Sequence, residues 1–394
     1  VTQHTEPKEQ LAIGLMSGTS LDGIDAALVS FPRPQKKAQD FAQKSPKSPV
    51  LPPEVEHPKL LHFLTHPLNP KWVKRLHQLN LEPSLTLKEL AQLQLALGKA
   101  FSGAAQVLMQ QTGVRPEQIA VIGSHGQTVF HAPHLEGNLG ISLQLGHPAV
   151  IAKRTGMTVA GDFRVDDMAL GGQGAPLAPA LHQMLFEEVT QQLGKVAVVN
   201  IGGISNLSLL RPQKVFGFDI GPGNGLMDEV CQRYFDCDYD ENGALARAGK
   251  VDAQLLNQLK QHPFFHQMPP KSTGKETFNF HWLTGFKLPE SPKDLLATLN
   301  RLTADLIAEA VKQHAAQAVY LCGGGALNAT LIENIQQTLN VPVCTTQALG
   351  IDPMAIEAML CAWLGVQRLN QQAIDLTQIT GSGKPAILGG LWCP

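Results

Sequence analysis

One structural plan occurs twice in this chain, and it constrains the fold more than any other feature. Residues 13–29 read as an apolar strand, a turn of glycine and hydroxyl residues, and a second strand with alternating burial. Residues 196–210 repeat this: the apolar run Val196 to Ile201, the turn Gly202-Gly203-Ile204-Ser205-Asn206, and another apolar run. The repetition is of plan, not of sequence. Two such hairpins, each opening a series of strands and helices, predict an α/β protein of two halves with a cleft between them. Backbone N–H groups at Ser17, Gly18, Thr19 and Ser20 can converge on an anion, because Gly18 has no Cβ and the hydroxyls add short donors. An ordinary hairpin with a polar turn accounts for that stretch equally well. The later glycine clusters decide between the two.

At 394 residues the chain exceeds one ordinary core, so two domains are expected. A formal net charge of -2 gives no basic field for nucleic acid or anionic lipid, which leaves a small molecule as the expected partner. The six cysteines lack the paired spacing of a zinc site or a disulfide framework, so reduced thiols in a cytoplasmic protein are expected. No apolar run approaches the roughly 20 residues that span a bilayer, and residues 1–10 lack a signal-peptide core.

Along the chain, residues 32–70 are rich in Pro, Lys and His and predict an irregular excursion with one strand. Leu87, Leu90, Leu93, Leu97, Phe101 and Leu108 recur at helical steps within 85–112, and Gly113 fits the stop. Residues 119–123 predict a short buried strand that ends in the polar loop Ser124-His125-Gly126-Gln127-Thr128, where open α/β sheets hold ligands. His125 there either faces a substrate or is a satisfied structural histidine. Residues 158–161 predict another strand, with a charged loop after it carrying Arg164, Asp166 and Asp167, then Gly171-Gly172-Gln173-Gly174. A helix over 175–188, with Pro176 near its first turn, leads out of the first half.

In the second half, Asp219 ends a strand ahead of Gly221-Pro222-Gly223-Asn224-Gly225 and a helix over 226–235. That location suits a general base: the scaffold fixes the carboxylate and the glycines leave room for substrate. Residues 271–278 form a polar loop within reach of a nucleotide or sugar. A strand over 318–322 runs into Gly323, Gly324, Gly325 and Asn328, which open a helix to about residue 339 and offer backbone to a flat ligand. In the last helix, residues 353–369, Glu357 sits among apolar neighbours, either half-exposed or aimed into the cleft.

Collected, these stretches resemble the anhydro-N-acetylmuramic acid kinase family. The matching motifs are 14–23 (GLMSGTSLDG), 123–128 (GSHGQT), 171–176 (GGQGAP), 200–203 (NIGG), 218–224 (FDIGPGN), 271–274 (KSTG), 322–326 (CGGGA) and the 350–363 helix entry, in the family's order. The resemblance implies two actin-like, ribonuclease H-like domains around an ATP cleft: residues 1–174 with about 352–394, and residues 175–351. It implies that water opens the 1,6-anhydro bridge of the sugar while O6 takes the γ-phosphate of ATP, giving N-acetylmuramic acid 6-phosphate in bacterial cell-wall recycling. Asp219 then matches the base that activates water, and Glu357 a carboxylate that holds the sugar, with His125, Arg164 and Asp167 as further sugar contacts. Ser17, Gly18, Thr19, Ser20, Gly202 and Gly203 would clasp phosphates, and Gly323, Gly324, Gly325 and Asn328 would face the adenosine. Mg²⁺ would be held through phosphates and water, with Asp167 the candidate protein contact, and a homodimer is implied. Two departures stand out: Val165 and Asp166 replace further arginines, and Met16 stands where related sugar kinases carry a metal-associated aspartate. A sugar kinase acting on a free hydroxyl and an actin-like or chaperone-like ATPase are the alternatives of the same fold.

Overall fold

Apolar runs supply the inner strands of two sheets. The computed structural model describes residues 9–18, 21–32, 57–81, 84–136, 139–212, 214–269, 271–274 and 277–394. Thr19, Ser20 and residues 33–56 of the expected excursion therefore lie outside the described residues.

The first sheet holds β1 (Glu9–Ser17), β2 (Ile24–Pro32), β3 (Lys59–His66), β4 (Ile119–Glu136), β5 (Leu139–Leu145), β6 (Val159–Gly161) and β12 (Gly390–Trp392). The second holds β7 (Val196–Ile201), β8 (Ile204–Arg211), β9 (Lys214–Pro222), β10 (Ala318–Cys322) and β11 (Val343–Thr345). Their orders are β12-β6-β4-β1-β2-β3, with β5 on β4, and β11-β10-β7-β8-β9. In each, three strands form an antiparallel meander, and two later strands add in parallel beside the first. The repeated plan seen in the sequence is thus a repeated topology, the α/β, ribonuclease H-like order of the actin-like class. β7 is buried at every position, as the innermost strand of a covered sheet must be.

Helices cover the sheets as their apolar faces require. The helix Leu87–Thr112 starts in a Thr86/Glu89 capping box and stops at Gly113, whose φ of 70° is the left-handed geometry that glycine adopts freely. Its Leu93, Leu97, Phe101 and Leu108 join Ile13, Leu15 and Ile122 of the first sheet in one core. The helix Pro292–Gln313 does the same for the second sheet, capped by Ser291. The helix Ile356–Leu369 is apolar nearly all round, as a helix buried on most faces must be, and packs on β1, β2 and β4. It fits because Gly14 and Gly123 are register partners on neighbouring strands. A Cβ on Gly14 would lie 2.6 Å from Ala362 N, and one on Gly123 would lie 2.6 Å from the Cys361 carbonyl carbon.

Several local expectations change. The polar stretch 124–128 is not a loop but the middle of the long strand β4, which continues into a ribbon with β5. Paired backbone, with Gly126 at φ 75°, carries these polar residues through. The charged segment after β6 is the short helix Phe163–Ala169, and the next helix begins at Ala178, with Pro179 in its first turn where Pro176 was expected. The helix Pro70–Leu81 was not anticipated. The glycine run after β10 forms a 3-10 turn, Gly324–Leu327, and the helix proper is Ala329–Thr338.

Candidate active site

Asp219 lies near the end of β9, half-buried, with its backbone and side chain both tied to the 271–274 loop. Its N–H donates to the Lys271 carbonyl at 3.0 Å, and the Thr273 N–H donates to its Oδ2 at 2.9 Å. The glycines that follow are needed where they stand. The Gly203 carbonyl accepts from Gly223 N at 3.0 Å and Gly225 N at 3.2 Å, and the Gly202 carbonyl accepts from Asn224 N at 2.7 Å. A Cβ on Gly223 would sit 3.0 Å from Ser205 Oγ. The turn of the second hairpin is therefore folded directly onto the entry of the helix Gly225–Tyr234. Three buried side-chain oxygens here, Ser205 Oγ, Asn224 Oδ1 and Thr273 Oγ1, have no hydrogen-bond partner among the described residues. Unpaired buried polar atoms of this kind, two hydroxyls and an amide oxygen, are costly unless a ligand satisfies them.

Glu357 stands in the first turn of the Ile356–Leu369 helix and accepts from Asn200 Nδ2, at the end of β7, at 3.2 Å. This bond links the first sheet's covering helix to the second sheet. Burial pushes the Glu357 carboxyl up, while the Arg164 charge and the Asn200 bond pull it down. Arg164 is fixed by two contacts: its Nε donates to His125 Nε2 at 2.8 Å and its Nη1 to the Gly174 carbonyl at 2.9 Å. Its charge is felt by Glu357, Asp167 and Asp219, which oppose the effect of burial on it. His125 is 7% exposed, and its Nδ1 is 3.0 Å from the Gly126 carbonyl. Because Nε2 accepts from Arg164, Nδ1 must carry the proton and donate to that carbonyl. Burial and the Arg164 charge push its pKa down to about 3, so the ring is neutral at physiological pH.

Five residues expected at the ligands, Asp167, Ser17, Asn328, Gly323 and Gly325, are placed differently. Asp167 is 1% exposed, and both carboxylate oxygens serve the protein: Gly174 N donates to Oδ2 and Thr380 Oγ1 to Oδ1, each at 2.7 Å. It staples the 171–174 turn to the C-terminal segment instead of facing a sugar or a metal. Asp166 accepts from Gly389 N at 2.7 Å and so holds the approach to β12. Ser17 Oγ is buried, with the Gly23 carbonyl at 3.0 Å and Gln127 Oε1 at 2.7 Å as acceptors, so its hydroxyl ties the hairpin and is not presented to phosphate. Asn328 caps the Ala329–Thr338 helix through Oδ1 to Leu331 N at 3.0 Å and is 8% exposed. Gly323 and Gly325 are glycines because β7 leaves no room: a Cβ would lie 2.8 Å from the Ile201 carbonyl oxygen and 2.6 Å from Ile201 Cβ, respectively. Only Gly324 of the three has ordinary space, with Asn224 Nδ2 at 3.4 Å.

A model of the family described as "Anhydro-N-acetylmuramic acid kinase" matches residues 10–394. This chain belongs to the anhydro-N-acetylmuramic acid kinase family. Anhydro-N-acetylmuramic acid kinase from Hydrogenovibrio crunogenus is 48% identical over 395 residues, covering 99% of this chain and 100% of the relative. The Legionella pneumophila (strain Corby) protein of that name is 42% identical, covering 97% and 98%, and that of Shewanella oneidensis 41%, covering 96% and 97%. Membership in the anhydro-N-acetylmuramic acid kinase family makes the chain an ATP-dependent phosphotransferase with an alcohol group as acceptor.

Two further residues lie among these groups: Asn200, quoted above only within the 200–203 motif, and Asp25. Asn200 is the polar interruption of an otherwise apolar strand, a signal that was available. Asp25, on β2, receives Thr65 Oγ1 at 2.6 Å, and its pKa is pushed up to about 6 by burial, with Glu357, Asp22 and Asp352 adding repulsion and the Thr65 bond opposing. In the sequence it looks like the polar half of an alternating strand. Only the pairing of Asp25 with Thr65 of β3 and the proximity of Glu357 give it away.

Proposed function

We propose that this chain opens the 1,6-anhydro ring of 1,6-anhydro-N-acetylmuramic acid and phosphorylates it at O6, with Asp219 as the base. Family membership supports the reaction, and one observation supports the residue. Asp219 is half-buried beside the 221–225 glycine turn, its Oδ2 held by the Thr273 N–H and its charge within the field of Arg164, whereas Asp167 in the same field is only 1% exposed. Oδ2 accepts from Thr273 N–H, which sets the plane of the carboxylate that takes a proton from water. Water adds to C1 as the C1–O6 bond breaks. Its proton passes to Asp219, and O6 takes the γ-phosphoryl group from ATP as ADP leaves.

Glu357 and Arg164 would bind the sugar's polar groups, with His125 holding Arg164 in place. The Gly202–Gly203 turn and the Gly18 backbone would meet phosphates, and Gly324 the adenosine. The two sheets would then form two domains, residues 1–174 with about 352–394 and residues 175–351, closing on the ligands. Among the described residues no group of three His, Cys, Asp or Glu side chains could hold a metal ion. Mg²⁺ would arrive with the nucleotide, held by phosphate oxygens and water, and no step is assigned to it. Among the described residues no helix is long and apolar enough to cross a membrane. A cytoplasmic homodimer in peptidoglycan recycling completes the proposal.

Asp219→Asn tests the base. Turnover falls by at least ~10²-fold, the scale for losing a general base, with the ATP dissociation constant little changed. Near-parental turnover moves the base elsewhere.

A further inference from the structure

Lys271 does not take part in the mechanism above, yet it sits at the crossing of the contacts that fix Asp219. Its Nζ donates to two main-chain carbonyls, Phe264 at 3.0 Å and Phe265 at 3.3 Å, both in the turn Pro263–His266. The ammonium also lies 4.6 Å from the centre of the Phe264 ring and 5.9 Å from that of Phe218, the residue before Asp219. Its own carbonyl accepts from Asp219 N, and two residues on, Thr273 N donates to the Asp219 carboxylate.

The turn that receives the ammonium is braced in its own right. Phe265 stacks on Phe278 with centroids 5.3 Å apart and planes 9° from parallel, and Phe264 meets Phe278 edge-on at 5.8 Å. The same Phe265 ring covers Gly221, where a Cβ would lie 2.8 Å from its Cε1. An aromatic block therefore touches β9 just after Asp219 and holds the Lys271 head that anchors the loop across from Asp219.

We infer that Lys271 is a positioning residue for the reaction: its half-buried ammonium pegs the 271–273 loop to the 263–266 turn, so that Thr273 N–H holds the Asp219 carboxylate in one orientation. The inference rests on the reading of Asp219 as the base. A charged peg suits this place because an ammonium offers three donors to main-chain carbonyls, Phe264's also accepting from Gln267 N at 3.2 Å, and its charge falls beside a carboxylate. Burial pulls Lys271 below the usual lysine range and Asp219 opposes that shift, as expected for a cation retained by its neighbour.

The test is steady-state kinetics of Lys271→Met, which keeps most of the aliphatic length and removes the donors and the charge. A catalytic group displaced by about 1 Å loses up to ~10²-fold in rate, so kcat falls by ~10- to 10²-fold. Because the loop's peg acts on the base, KM for both substrates and the ATP dissociation constant stay within about threefold. Where the methionine variant is poorly folded by melting and circular dichroism, Lys271→Gln, which keeps an N–H donor without charge, is measured for the same split. A folded variant with parental kcat, or one whose loss lies wholly in KM, overturns the inference while Asp219→Asn stays inactive. If Asp219→Asn is itself active, the reading of the base has failed instead.

Discussion

Replacing Gly123 by alanine tests how the fold delivers Glu357 to the cleft. Gly123 lies in β4 directly beneath the Ile356–Leu369 helix, and Gly365 of that helix approaches so closely that its own Cβ would lie 3.0 Å from Gly123 Cα. A methyl group on Gly123 would overlap the Cys361 carbonyl oxygen and lie 2.6 Å from its carbonyl carbon, against 3.4 Å for ordinary contact, so the helix must retreat by more than the 0.8 Å that the carbon alone requires. Neither side is a flexible side chain; both are backbone. Overpacking of this kind costs about 1–3 kcal/mol, and at about 2–4 °C per kcal/mol the melting temperature falls by about 2–12 °C. The same retreat carries Glu357 away from Asn200, a bond already 3.2 Å long. A shift approaching 1 Å in a substrate-holding group lowers kcat/KM for the sugar by ~10-fold or more. The assay pairs thermal melting with a coupled ADP-release assay at varied sugar. Gly103→Ala serves as the control, since its Cβ would meet only His66 Nε2 at 3.4 Å and alanine favours a helix interior. Melting within about 1 °C of the parent and kcat/KM within about twofold for Gly123→Ala would refute the packing argument.

Asp167→Ala should act on stability before affinity: it strands the Gly174 N–H and leaves the Thr380 hydroxyl only the Leu376 carbonyl at 3.2 Å, a loss of about 1–3 kcal/mol read by denaturant titration, and an unchanged midpoint would contradict its role as a staple. Asp25 gives a pH signature. Its carboxyl is raised to about 6 in the fold against 3.8 in the free chain, so the unfolded state releases its proton first and stability is lost as pH rises from about 4 to about 6. Asp25→Asn, which can still accept from Thr65, should therefore raise the melting temperature more at pH 8 than at pH 4 relative to the parent. An equal shift at both values would remove the burial argument.

What the sequence made legible was periodicity and punctuation. The hairpins at 13–29 and 196–210, the Leu-rich helix with its Gly113 stop, and Asp219 at a strand end all follow from local pattern, because burial and φ angle act residue by residue. What stayed hidden depends on contacts far along the chain. Asp167 looks like a site acid until Thr380 arrives to bind it, more than two hundred positions later. Ser17 looks like a phosphate donor until Gln127 takes its hydroxyl. The segment 124–128 looks like a loop because its residues are polar, but its backbone has strand partners on β1 and β5. Gly323 and Gly325 illustrate the same point in reverse: they are glycine to clear β7, a neighbour the glycine run itself cannot announce.

The most direct test of the account is the fate of solvent oxygen. The enzyme is incubated with ATP and 1,6-anhydro-N-acetylmuramic acid in oxygen-18 water, and the sugar phosphate is analysed at once by mass spectrometry, against product made in ordinary water and exchanged for the same time. The account predicts one solvent-derived oxygen at C1 in each phosphorylated product beyond that exchange background, and none on the phosphoryl group. A phosphorylated sugar that gains no solvent oxygen at C1 would contradict hydrolytic ring opening and leave a kinase acting on a free hydroxyl.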